Sequence, residues 1–164
     1  MLDQLIKLVE QNSNEAIVNN KEIPNQFNND AIQDVAQQIF GGLKGEASAG
    51  NYSQLLSMFQ GSQSSIASNP MVTQMISNLA GSFASKFGMS QQSAQNLVSS
   101  LLPQIMNQFV NKTNDPNDND FDLQDMISGF SGGKNIDLAD LMGKFSGGPR
   151  QSGGIADVLG KVLG

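Results

Sequence analysis

Apolar residues recur along this chain three and four positions apart, the spacing that lines one face of an α-helix. Leu2, Leu5, Ile6 and Val9 form such a stripe and predict a short amphipathic helix over residues 2–11. The stretch NEAIVNN adds a turn or two before Ile23-Pro24, where the residue ahead of proline is pushed out of helical conformation. Ala31, Ile32, Val35, Ile39, Phe40 and Leu43 repeat the pattern, with Asn29 or Asp30 placed to cap and Gly41-Gly42 expected to fray the end. NYSQLLSMF reads as a shorter helix and QGSQSSIASN as a loop pinned by Ile66.

Clearer start and stop signals follow. Asn69 is placed to cap a helix whose first residue is Pro70, where a missing N–H costs nothing. Val72, Met75, Ile76, Leu79, Phe83 and Phe87 carry its apolar face, and Gly88 stands where a left-handed stop belongs. Ser90 caps the next helix, whose stripe runs from Ala94 through Leu97, Val98, Leu101, Leu102, Ile105, Met106 and Phe109 to Val110. Pro103 lies inside that run and is expected to remove a backbone hydrogen bond and kink the helix near Ser99. No strand-like alternation competes, so the class is all-α.

Beyond residue 120 the pattern becomes a repeat. FDLQDMISGFSGG at 121–133 returns as IDLADLMGKFSGG at 136–148, and more loosely as GIADVLGKVLG at 154–164. Each copy reads as a short amphipathic helix ended by glycine, too short to be stable alone in water. Such pieces pack on the domain, on each other or on a partner, or they stay partly disordered. The predicted organisation is a helical domain at 1–112, an Asn/Asp/Pro linker at 113–122 and Gly-rich repeated short helices at 123–164.

Charge changes the picture more than composition does. The chain of 164 residues has a net charge of −6 and neither Cys nor His. Disulfides, thiolate metal sites and the usual general base near neutral pH are therefore missing. Seven acids and three bases fall in residues 1–46, and eight acids and five bases in 112–164; between Ala47 and Asn111 the one charged residue is Lys86. Ser, Gln and Asn supply the polar face there, giving a surface without the like-charge repulsion that keeps copies apart. The acidic balance argues against a general grip on nucleic acid or anionic lipid. The opening MLDQLIKLVEQ lacks the layout of a signal peptide, and no apolar run is long enough to cross a bilayer. The expectation is a cytoplasmic protein without integral membrane association.

MLDQLIKLV at the start, KFGMSQQSAQNLVSSLLPQIM in the middle and DLMGKFSGG near the end together resemble the YidB-like family of small bacterial proteins. That family is a domain of unknown function. The resemblance implies a bacterial source and a compact multi-helix bundle built from three-helix units, with a Gly-rich C-terminal tail, and it implies no activity. Some similar proteins carry an Asp-rich calcium loop in the tail; the corresponding GGPRQSGGIAD here lacks those acids.

Four kinds of site compete for these residues. NDPNDNDFDLQD can be laid on an EF-hand-like loop with Asn114 first, Asp118 fifth, Asn119 at the turn, Asp122 ninth and Asp125 twelfth, and Asp120 completes the candidate calcium ligands. Pro116 occupies the third position, where a carboxylate is wanted, and Asp125 is a short twelfth ligand. A helix start explains the same residues better: Asp122 accepts from the backbone N–H of Asp125, and the D-L-x-D spacing recurs at Asp137 and Asp140 with no acids upstream. Ala84, Gly88, Ala94 and Leu97 fall at helix-turn-helix spacing, but the would-be reading helix QQSAQN has no Lys or Arg for phosphates. The Met residues are core filling before they are an adaptable groove. No pair of acids can be placed across a cleft, and the SGG repeats lack the context of a phosphate loop. The sequence therefore points to a non-enzymatic interaction protein without a cofactor, whose partner is a protein, a second copy of itself included. A calcium-responsive module at 114–125 is the alternative.

Overall fold

Asn69 and Pro70 begin a helix as the sequence predicts, in a computed structural model that describes residues 1–130. The Asn69 side chain accepts the N–H of Met71 at 2.9 Å, and the helix ends at Gly88, whose φ of 68° is left-handed. Ser90 Oγ then accepts the N–H of Ser93 at 3.1 Å and opens the next helix. These long helices, Pro70–Phe87 and Gln91–Thr113, pack on each other along Val72, Leu79, Ala80, Phe83, Ala94, Val98, Leu102 and Met106, all at most 1 % exposed. The second runs through Pro103 as one α-helix. Removing the cap with Asn69→Ala is expected to cost about 1 kcal/mol, read as a lower urea midpoint with an unchanged slope.

In chain order the α-helices are α1 (Leu2–Asn12), α2 (Asn28–Ser48), α3 (Tyr52–Gln60), α4 (Gln63–Ser68), α5 (Pro70–Phe87), α6 (Gln91–Thr113) and α7 (Leu123–Phe130). No strand occurs among the described residues, and the fold is all-α. α1 lies on α2 and α6, and α2 lies on α5, so the N-terminal helices wrap the α5–α6 pair. NEAIVNN becomes a π-helical turn at Asn14–Val18, closed by Asn19 N–H donating to the Asn14 carbonyl at 2.9 Å.

Three local expectations are corrected. Neither Asn29 nor Asp30 caps α2: a 3-10 turn at Asn25–Phe27 feeds straight into it, positioned by Pro24. Gly41-Gly42 does not fray α2, which continues to Ser48 because Leu43 and Ala47 are buried and hold the last turns on the core. Burial here outweighs glycine's cost in a helix. QGSQSSIASN is not a plain loop but contains the short α4, held by buried Ile66 despite its weak helix formers.

The α2 glycines differ in role. A Cβ on Gly42 would collide with the terminal methyl of Met75, which would have to move aside, whereas Gly45 has open space around it. Gly45→Ala is therefore expected to stabilise the protein by about 0.5–1 kcal/mol, seen as a higher thermal midpoint.

Residues after α6 return to the core. Phe121 is buried and stands edge-on to Phe109 with ring centroids 5.5 Å apart, while Phe130 stands edge-on to Phe40 at 5.3 Å. Met126 is buried in the same cluster as the helices of residues 1–112. The expected boundary near residue 112 thus has core residues on both sides. The second and third repeats of the tail lie outside the described residues.

Candidate functional site

The acidic turn between α6 and α7 is organised by its own hydrogen bonds. Asp115 accepts from the backbone and side chain of Asn117 at 2.9 and 3.2 Å. Asp118 accepts the N–H of Asp120 at 3.0 Å and pairs with Lys112 at 2.9 Å. These are Asx-type turns closed by a side-chain oxygen two residues back. Asp122 accepts the N–H of Asp125 at 3.1 Å, the helix-start contact that the D-L-x-D spacing predicts.

The five candidate calcium ligands are dispersed among these tasks. Asn114 turns its amide away to donate to the Phe59 carbonyl at 2.8 Å, and Asp120 accepts from Gln4 of α1 at 3.4 Å. Asp115, Asp118 and Asp120 line one open concavity, but among the described residues no three acids converge as a metal-holding group. Asp122 and Asp125 sit at the first turn of α7 instead.

The Lys112 hydrogen bond, with smaller help from the backbone N–H groups of Asp120 and Phe121, holds the Asp118 carboxyl below its ordinary value of 3.8. Because the folded value is depressed, the contact stabilises the fold above the ordinary carboxylate range and is lost as pH falls through the lowered value. Acid titration of native protein is expected to show Asp118 protonating below 3.8, and Lys112→Met is expected to return it toward that value, both read by carboxyl-carbon NMR.

The charge gap gains a three-dimensional form. Every Leu, Ile, Val, Met and Phe from Ala47 to Asn111 is buried except Leu97, which is half-buried. What reaches solvent is mainly Ser, Thr, Asn, Gln, Gly and Ala, with Lys86 the sole charge. Lys86 itself is matched by Asp34 of α2, whose two oxygens lie 2.7 and 2.8 Å from Nζ, while Ser82 Oγ donates to the same carboxylate at 3.1 Å. Within residues 47–111 the one charge is therefore balanced, while acids from outside the segment touch it at its edges, Glu46 accepting from Asn51 at 2.8 Å and Glu22 from Ser93. Asp34 and Lys86 are far apart in sequence, so no local signal announces their pairing.

At the corner between α5 and α6, Ala94 is buried, Ala84 and Leu97 are half-buried, and Gly88 supplies the left-handed turn. These positions pack the corner. The exposed start of α6 engages itself and an acid: Gln92 donates to Asn96 at 3.2 Å and Ser93 donates to Glu22 at 3.2 Å. No helix among the described residues is long and apolar enough to cross a membrane.

Comparison with known proteins returned one result. Searches of curated proteins and of solved structures found no match. The model of a bacterial protein family of unknown function, DUF937, matches residues 69–164 and begins at Asn69, the residue that caps α5. Nothing in that family points to catalysis, and the 68 residues ahead of the match share one core with it. With more than half its length matched, the chain belongs to this bacterial family of unknown function, the family of the YidB-like proteins.

Proposed function

We propose that this protein acts by reversible association with a second copy of itself through the neutral face of residues 47–111, and that its role is non-catalytic. The observation that carries the reading is the pairing of Lys86 with Asp34, which cancels the one charge of that segment. A chain with net charge −6 repels its copies through most approaches. This face is the exception, because hydroxyl and amide groups donate and accept alike and meet their own kind without electrostatic penalty. Large apolar side chains stay buried, so the contact is hydrogen-bonded, wet and readily dissociated, unlike an obligate interface.

Charging the face tests the reading. Ser99 is exposed on α6, and Ser99→Glu adds a like charge to both partners of a self-complementary contact. Association is expected to weaken by about ten-fold, while Lys7→Glu on α1 leaves it within about two-fold. Equal effects from both variants would contradict the assignment to this face.

A calcium-responsive turn is the second reading, supported by the shared concavity of Asp115, Asp118 and Asp120. Calcium would have to displace Lys112 from Asp118. Unmoved resonances of Asp118, Asp122 and Asp125 at millimolar calcium would eliminate it.

A further inference from the structure

One side of α1, the end of α6 and the acidic turn border a cleft of about 220 Å³. Gln4, Lys7, Leu8 and Gln11 recur three and four positions apart and so share that side of α1, and Lys112, Asp120 and Phe121 complete the lining. Its apolar part is fixed in the core: Leu8 is 2 % exposed and Phe121 4 %. Its charges come in both signs, with the ammonium groups of Lys7 and Lys112 against the carboxylate of Asp120, and Asp118 paired to Lys112 at 2.9 Å beside it. Bonding capacity remains on both signs. Asp120 uses one oxygen to accept from Gln4 at 3.4 Å. Lys112 gives one N–H to Asp118 and holds its nitrogen 5.9 Å from the Phe121 ring centroid, which leaves it further donors. The exposed Lys7 and Gln11 side chains have no hydrogen-bond or ion-pair partner among the described residues.

We propose that this cleft binds a free aliphatic α-amino acid, its carboxylate taken by Lys7 and Lys112, its ammonium by the second oxygen of Asp120 and its side chain by Leu8 and Phe121. A simple anion would meet Asp120 and Asp118 in a chain already at −6, and a simple cation would meet two ammonium groups. A small zwitterion answers both signs at once. The volume of about 220 Å³ lies below the roughly 300 Å³ at which pockets begin to hold drug-sized ligands, which suits one amino acid and not a peptide. The ionic contacts are partly solvated, the Lys112 side chain being 39 % exposed, so the dissociation constant is expected at about 1 mM. No lining residue lies within 47–111, so the cleft and self-association stand or fall separately.

The test is an amide NMR titration of the full chain with leucine, and with alanine as a shorter probe. Two analogues of leucine separate the charges: isocaproate lacks the ammonium and isopentylamine lacks the carboxylate. Leucine is expected to move the amide resonances of Leu8 and Phe121 along a saturating curve, and each analogue to bind at least about ten-fold more weakly. Lys7→Met is expected to weaken leucine binding about five-fold or more while leaving the urea midpoint unchanged, because Lys7 is exposed and unpaired among the described residues. Unmoved resonances with both amino acids up to about 20 mM would overturn the site, since that is far above the expected dissociation constant. Isocaproate or isopentylamine binding as tightly as leucine would overturn the zwitterion, and an unchanged leucine affinity in Lys7→Met would overturn the assignment to this cleft.

Discussion

Phe109→Ala is expected to destabilise the protein by about 3–5 kcal/mol, well beyond the loss that removing a helix cap brings. Phe109 has no solvent exposure and its ring lies 5.8 Å from Phe59 of α3 and 5.5 Å from Phe121 of the acidic turn. Alanine removes both aromatic contacts and leaves a cavity that three elements cannot all collapse to fill. The turn should loosen with it, so faster amide exchange at Phe121 is expected under conditions where α1 stays protected. Urea unfolding measures the first effect and exchange the second. A shift in stability below about 1 kcal/mol would mean that Phe109 does not hold these elements together.

Gly88→Val carries the next largest expected effect, at least about 1–2 kcal/mol. Gly88 has φ 68° and ψ 22°, a conformation that L side chains rarely adopt and that a β-branched residue resists most. A Cβ placed there meets nothing within 4 Å, so the loss comes from the backbone and not from a clash. Gly88→Asn should therefore recover much of it, because asparagine tolerates the left-handed region. Equal losses for Val and Asn would point to crowding instead. The corner is then a packing device, consistent with buried Ala94 inside it.

Chemistry that acts within a few residues was legible in the sequence. Asn69, Pro70, Gly88 and Ser90 announce the ends of α5 and α6 because capping joins a side chain to a backbone group two or three residues away. The same locality made Asp122 readable as a helix start. Features set by distant partners were not legible. α2 outlasts its glycines because Leu43 and Ala47 find a core supplied by other helices. Phe121, set in what reads as a polar linker, is fixed by Phe109 across the turn. The neutrality of the 47–111 face was half visible: composition showed a single cation, and only the fold brings Asp34 to it. The acids of the turn looked alike in sequence, yet Lys112, Gln4 and backbone N–H groups give each a different task.

Self-association through the neutral face is the central functional claim, and molar mass by light scattering over a wide concentration range, in chelator, tests it most directly. Mass is expected to rise with concentration from the 17.5 kDa of one chain toward that of a dimer, with calcium absent throughout. A mass that stays at 17.5 kDa at every concentration would contradict it.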